Sequence, residues 1–200
     1  MTEAHTRLPA AERRQALIDT ALRIFSARSY RGVTTADIAR EAGVSEPVLY
    51  RHFASKRDLY LACLEQAWHE LRACWEEAVD TAERPTEWVP AMAAVGVGRL
   101  KGLLANLWIQ AITEAAEDEK IRAYLRDHVR EVHDFVAEMI RRSQAAGGIP
   151  ADRDAEAEAW IFLAGGLLAT FAQHLGGVLS EEDFDRIRAA RRRWMTPDVP

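Results

Sequence analysis

Apolar residues recur every three or four positions along nearly the whole 200-residue chain, and no stretch alternates apolar with polar residues as a half-buried strand would. That pattern predicts an all-α fold of about nine helices. Leu17, Ala21, Ile24 and Phe25 stripe a first helix over residues 10–29, with Gly32 available to end it. Thr34-x-x-Asp37 has the form of a capping box and opens a short helix to residue 42, where Gly43 breaks it. Ser45 can cap the next helix, which runs to about residue 53. Pro47 falls in its first turn, where a missing N–H costs little. Ser55-x-x-Asp58 starts a long helix striped by Tyr60, Leu64, Ala67, Leu71, Cys74 and Ala78. Further helices are expected over residues 87–105, 107–116 and 120–146, the last stopped by Gly147-Gly148-Ile149-Pro150. Asp152 is expected to cap a helix reaching residue 175, ended by Gly176-Gly177. Ser180-x-x-Asp183 opens the final helix, to about residue 194.

Charge is unevenly distributed. The net is −5, yet residues 1–60 hold ten Lys or Arg against seven Asp or Glu, a net of +3, leaving −8 for the rest. A mildly basic end on an acidic body fits a protein that touches nucleic acid with one end only. A hydrophobic fraction of 48% suffices for one or two packed domains. Residues 1–9 lack the apolar stretch of a secretory signal. Cys63 and Cys74, eleven apart on one helix, would sit about 16 Å from each other, too far for a disulfide, and the chain reads as cytosolic. Residues 159–180 carry no Asp, Glu, Lys or Arg and are long enough to span a bilayer. Gln173, His174, Thr170 and acidic flanks favour a helix buried on all sides instead, and no membrane partner is expected.

The most informative stretch is residues 34–56, TTADIAREAGVSEPVLYRHFASK. Two short helices meet at a tight Gly43-Val44 turn, giving a helix-turn-helix over about residues 34–53. Ile38, Ala39, Val44, Leu49 and Phe53 can seal the pair against the first helix. That leaves Ser45, Glu46, Pro47, Val48, Tyr50, Arg51 and His52 for the outward face. A helix that presents such residues near its N-terminus is shaped to enter a major groove of double-stranded DNA.

From Arg14 to Leu64 the sequence resembles the TetR family of bacterial transcriptional regulators. The resemblance rests on LIDTALRIF, Gly32, Thr34-Thr35, Ile38-Ala39, Ala42-Gly43-Val44-Ser45, Leu49-Tyr50, His52-Phe53, Lys56 and Leu59. It implies that Thr34 and Thr35, at the start of the second helix, and Tyr50, His52 and Lys56 hold the phosphate backbone. Ser45, Glu46, Pro47, Val48 and Arg51 would face phosphates or bases. Many members have a small residue where this chain has Pro47. The resemblance further implies a DNA-binding domain over residues 10–58 and a helical sensing and dimerising domain over residues 59–196.

No catalytic site, metal site or cofactor is expected. His128 and His133 lie about 140° apart on a helix, and no Glu-x-x-His pair, Gly-x-Ser-x-Gly, phosphate loop or dinucleotide fingerprint is present. Gly165-Gly166, like Gly96 and Gly98, reads as close helix contact. Six Trp residues are many for this length. Trp88, Met92, Trp108, Phe135, Met139 and Trp160 are candidates to line an apolar pocket, with Asn106, Gln110, Thr113, His133 and Gln173 as polar handles. The helix ending near residue 175 is apolar on more than one side. Gly165, Leu168 and Ala172, with Phe184 and Ile187 of the last helix, are expected at a homodimer seam. The expectation is a repressor that docks as a homodimer on a palindromic operator and is released by a small apolar or aromatic effector. The alternatives are an activator of the same fold, or a helical enzyme or lipid-binding body.

Overall fold

The computed structural model describes residues 9–98 and 103–196. The stretch read for an export signal lies outside them apart from Pro9, as do residues 99–102 of the fifth expected helix. Among the described residues there are nine α-helices and no strand: α1 (Ala10–Ala27), α2 (Thr35–Glu41), α3 (Glu46–Tyr50), α4 (Lys56–Thr81), α5 (Trp88–Gly98), α6 (Leu103–Glu114), α7 (Glu119–Ala145), α8 (Ala155–Leu175) and α9 (Glu181–Met195). One 3₁₀ turn, Pro85–Glu87, precedes α5.

The capping signals act as expected at α2 and α9. Asp37 N donates to Thr34 Oγ1 at 3.1 Å while Thr34 N donates back to Asp37 Oδ2 at 3.2 Å. Ser180 and Asp183 repeat the exchange, both at 3.0–3.1 Å. At α8 the cap is Asp154, not Asp152: its Oδ1 accepts from Glu156 N at 3.0 Å and Ala157 N at 3.2 Å. Asp152 instead pairs with Arg153 at 3.0 Å. Two aspartates two apart each satisfy the sequence pattern, and only the one adjoining the first helical turn reaches its N–H groups.

The chain divides into two compact units. One is Met1–His69 with Gly102–Arg122; the other is Glu70–Lys101 with Ala123–Pro200. The division falls within α4, and α6 belongs to the first unit.

In the first unit Leu17, Ala21 and Phe25 of α1, Ile38 of α2, Leu49 of α3 and Leu59, Tyr60 and Cys63 of α4 are all fully buried. Phe25, Tyr30 and Tyr60 form an aromatic trio with centroids 4.7–5.9 Å apart. Burial pushes the Tyr60 hydroxyl and Cys63 thiol up from their ordinary pKa. The Tyr60 hydroxyl donates to the carbonyl of Leu107 at 2.8 Å. The last carbonyls of a helix lack partners within it. For α1 those partners come from α6: Asn106 Nδ2 donates to Ser26 O at 2.9 Å, and Gln110 Nε2 donates to Phe25 O and Arg28 O at 3.0 and 3.2 Å.

In the second unit Trp75 stacks on Phe135 at 6.0 Å and meets Phe162 edge-on at 5.6 Å. Gly148 is required by close approach, since a Cβ there would stand 2.5 Å from the Pro85 carbonyl carbon. The α8 helix packs against α5. Its inward side carries Glu158, Ala159 and Ala172. Its large side chains Trp160, Ile161, Leu167, Leu168, Phe171 and Leu175 are exposed. Small residues inward let the neighbouring helix come close. By length and composition α8 could cross a membrane, with a mean hydropathy of 1.3.

Candidate nucleic-acid interface

The α2–α3 hairpin is built as the sequence dictates. Gly43 adopts φ 67°, the left-handed conformation that favours glycine, and turns the chain between the helices. Val44 N then donates to Ala39 O at 2.9 Å and locks the turn. Leu49 and Phe53 point into the core, and Arg14 lies over the Phe53 ring at 4.9 Å. The α3 helix ends at Tyr50 rather than Phe53, although His52 N and Phe53 N still bond to Leu49 O at 2.9 and 3.1 Å. Ser45 stands at its N-cap position without a side-chain capping bond, so its exposed hydroxyl is available to a ligand.

Ser45, Pro47, Tyr50 and Arg51 are exposed, and Glu46, Val48 and His52 are half-buried on the same short element. Thr34 is exposed, but its hydroxyl is engaged with Asp37. The hydrogen bond from Thr34 and the pairing with Arg40 hold the Asp37 carboxyl down at about 2.

Two residues expected on phosphates also have partners within the chain. Thr35 is buried and its Oγ1 donates to Glu46 Oε1 at 2.5 Å. Lys56 Nζ donates to Tyr30 O and Val33 O, both at 3.0 Å, and sits 4.3 Å from the Tyr30 ring centroid. Burial lowers the Lys56 pKa. Two of its three N–H donors therefore fasten the α1–α2 connection, leaving one for a phosphate.

Sequence reasoning missed the contribution of α6. Gln110 and Asn106, expected as pocket handles, bind the end of α1, and Gln110 Oε1 also accepts from Tyr30 N at 2.7 Å. Arg31 reaches Glu114 and Glu117, and Arg57 reaches Asp118 at 3.0 Å. These partners lie 61–86 residues apart in sequence, and no local signal marks them.

The expected pocket residues fall in both units. Trp108 belongs to the first unit and the other five to the second. Met92 and Met139 are buried, Trp88 lies under the Arg142 guanidinium at 5.7 Å, and Phe135 joins the Trp75 cluster. Trp160 is half exposed and stacks on buried His133 at 4.1 Å. Thr113 bonds to Ile109 O of its own helix, and Gln173 is exposed.

Of the expected seam residues, Gly165, Leu168 and Ile187 are exposed and Phe184 is half-buried, but Ala172 is buried within its own unit. A helix apolar on more than one side carries no periodic signal for which face turns inward. Gly165 and Gly166 face open space and make no close contact within the chain. His133, Asp134 and Glu156 gather their ligand-type atoms within 4.8 Å, but the His133 nitrogens already meet Asp134 Oδ1 and Glu156 O, and Arg141 pairs with Glu156.

A three-helix core carrying a Gly-turned hairpin, with a short second helix whose hydroxyl, guanidinium and carboxylate side chains face outward, defines a helix-turn-helix DNA-binding transcriptional regulator. Residues 17–63 match the family model for bacterial regulatory proteins of the tetR family. The chain is 31% identical over 142 residues to the HTH-type transcriptional regulator BetI of Brucella anthropi, covering 68% of this chain and 73% of that one. It is 50% identical over 60 residues to the HTH-type transcriptional activator FasR of Mycolicibacterium smegmatis, 30% of this chain and 27% of that one. The structure of a transcriptional regulator from Saccharomonospora viridis in complex with choline superposes with a TM-score of 0.75 at 26% identity, covering 90% of this chain and 95% of that one. The chain belongs to the TetR family.

Proposed function

We propose that the protein is a cytoplasmic homodimeric repressor. Two copies of α3 would read a two-fold-related operator, and a small molecule held in the helical body would weaken the grip. The observation that carries this reading is the apolar face of α8 and α9. Leu168 is 41% exposed, Phe171 55% and Leu175 58%, with Ile187 and Trp194 also exposed on α9. Soluble monomers rarely display so continuous a patch. A second copy covers it with the same patch, α8 and α9 of each chain forming a four-helix bundle about a two-fold axis. Gly165 and Gly166 leave room for another helix to approach closely. Such a dimer would set the reading heads one DNA turn apart, about 34–36 Å.

Bound at a promoter, the dimer would exclude polymerase by occupancy, and no further activity is needed for repression. The choline complex of the Saccharomonospora relative supports a small-molecule effector in general terms. In this chain the Trp75, Phe135 and Phe162 cluster beside buried Met139 suits an apolar or aromatic effector.

A reporter under the chain's own upstream region tests the reading. Loss of the protein should raise expression, and Tyr50→Ala with Arg51→Ala should do the same. A fall in expression would point to an activator, and no change would reject regulation at that promoter. Tryptophan emission and DNA release across a panel of aromatic, apolar and quaternary-ammonium compounds would test the effector. A panel that perturbs neither would count against it.

A further inference from the structure

Thr35, Glu46 and Tyr50 are joined in one hydrogen-bonded chain. Carboxylate oxygens only accept, so the single proton of the Thr35 hydroxyl goes to Glu46 Oε1, 2.5 Å away. The Thr35 oxygen lies 3.1 Å from the Tyr50 hydroxyl and must accept from it. The Tyr50 proton therefore points inward. Both hydroxyls here serve to fix one carboxylate. Among the described residues nothing engages Glu46 Oε2, and Glu46 is half-buried at the first position of α3.

We infer that Glu46 reads a cytosine in each half-site, accepting a hydrogen bond from its exocyclic amine, and that Thr35 is the residue positioning it. This rests on the reading that α3 enters the major groove. A fixed carboxylate is repelled by phosphates. Guanine offers it the N7 and O6 acceptors, and thymine offers O4 and a methyl group. Adenine presents an amine, but beside the N7 acceptor. Cytosine alone presents its N4 donor with no acceptor on the same base edge. Thr35 removes the freedom that would otherwise let Glu46 swing away, so the preference is built in before DNA arrives.

Selection from a randomised duplex library with the full chain tests the inference. The wild type should recover a two-fold-related site with a fixed cytosine in each half. Glu46→Gln should move that position toward adenine, because a glutamine amide can pair with both N6 and N7. Competition binding should show cytosine favoured about 5- to 160-fold by the wild type, the range that ~1–3 kcal/mol of base discrimination converts to. Thr35→Val should keep the thermal transition of the unit but lose most of the cytosine preference, and Thr35→Ser should restore it. If Thr35→Val fails to fold, Glu46→Gln, on a partly exposed side chain, still decides. A recovered site whose base preferences are unchanged by Glu46→Gln would overturn this inference and leave the DNA-binding reading standing. Recovery of no site at all would overturn both.

Discussion

In the unit that carries the reading helix, large side chains such as Phe25, Leu49 and Tyr60 are fully buried, and amides of α6 satisfy the open carbonyls of α1. On α8 and α9 the pattern is reversed: Leu167, Phe171, Leu175, Ile187 and Trp194 lie in the open while alanines and a glutamate turn inward. Yet α8 and α9 are well tied to each other. Buried Glu158 accepts from Trp194 Nε1 at 2.7 Å and pairs with Arg191. The helix pair is thus held in place by a buried carboxylate while presenting its bulkiest apolar residues to water. The first unit completes its core with its own chain. The α8–α9 face leaves its apolar side chains uncovered within the chain, and the proposed dimer would cover them with a second copy.

The largest effect should come from breaking that face. Leu168→Arg puts an unpaired charge at the seam and should yield monomers whose operator affinity falls about 100-fold or more, the avidity that linking two weak sites supplies. Gel filtration and mobility shifts would check it, with circular dichroism unchanged. Ala172→Glu sharpens the contrast. It buries a charge inside its own unit, so it should lower protomer stability by several kcal/mol as well as dimerisation. Equal melting of the two variants would mean that the inward and outward faces of α8 are wrongly assigned.

Within the first unit, Tyr60→Phe strips the donor from the Leu107 carbonyl and should cost ~1–3 kcal/mol in urea unfolding. Gln110→Ala should cost a similar amount by freeing the carbonyls at the end of α1. Neither should alter dimer mass, and a change in mass would show that the two regions are not independent. The smallest effect concerns Asp37, whose carboxyl is held at about 2 against an ordinary 3.8. A depressed carboxyl stabilises the fold above its unfolded pKa, and that contribution is lost as pH falls from about 4 through about 2. Asp37→Asn should flatten the acid limb of the α2 amide-exchange profile, and an unchanged limb would remove the capping box from the cause.

The hairpin was legible in the sequence because its determinants are local. Thr34 and Asp37 are three apart, and the Gly43 turn is flanked by the apolar residues it brings together. The α6 contacts were not, because Gln110 and its partners on α1 are some eighty residues distant and a lone glutamine announces nothing. The resemblance carries no sign that Lys56 also bonds to Tyr30 O and Val33 O, or Thr35 to Glu46, because those partners depend on the packing of the unit. On α8 the existence of an extra apolar surface was readable from composition, but its direction was not. With more than one side apolar, only the packing of α8 within its unit decides that Ala172 turns in and Phe171 turns out.

Light scattering of the purified protein at micromolar concentration tests the central claim most directly. A mass of twice 22.5 kDa is expected. Leu168→Arg should bring it down to a single chain. A wild type that scatters as one 22.5 kDa chain across that range would contradict the dimer, and with it the operator geometry proposed above.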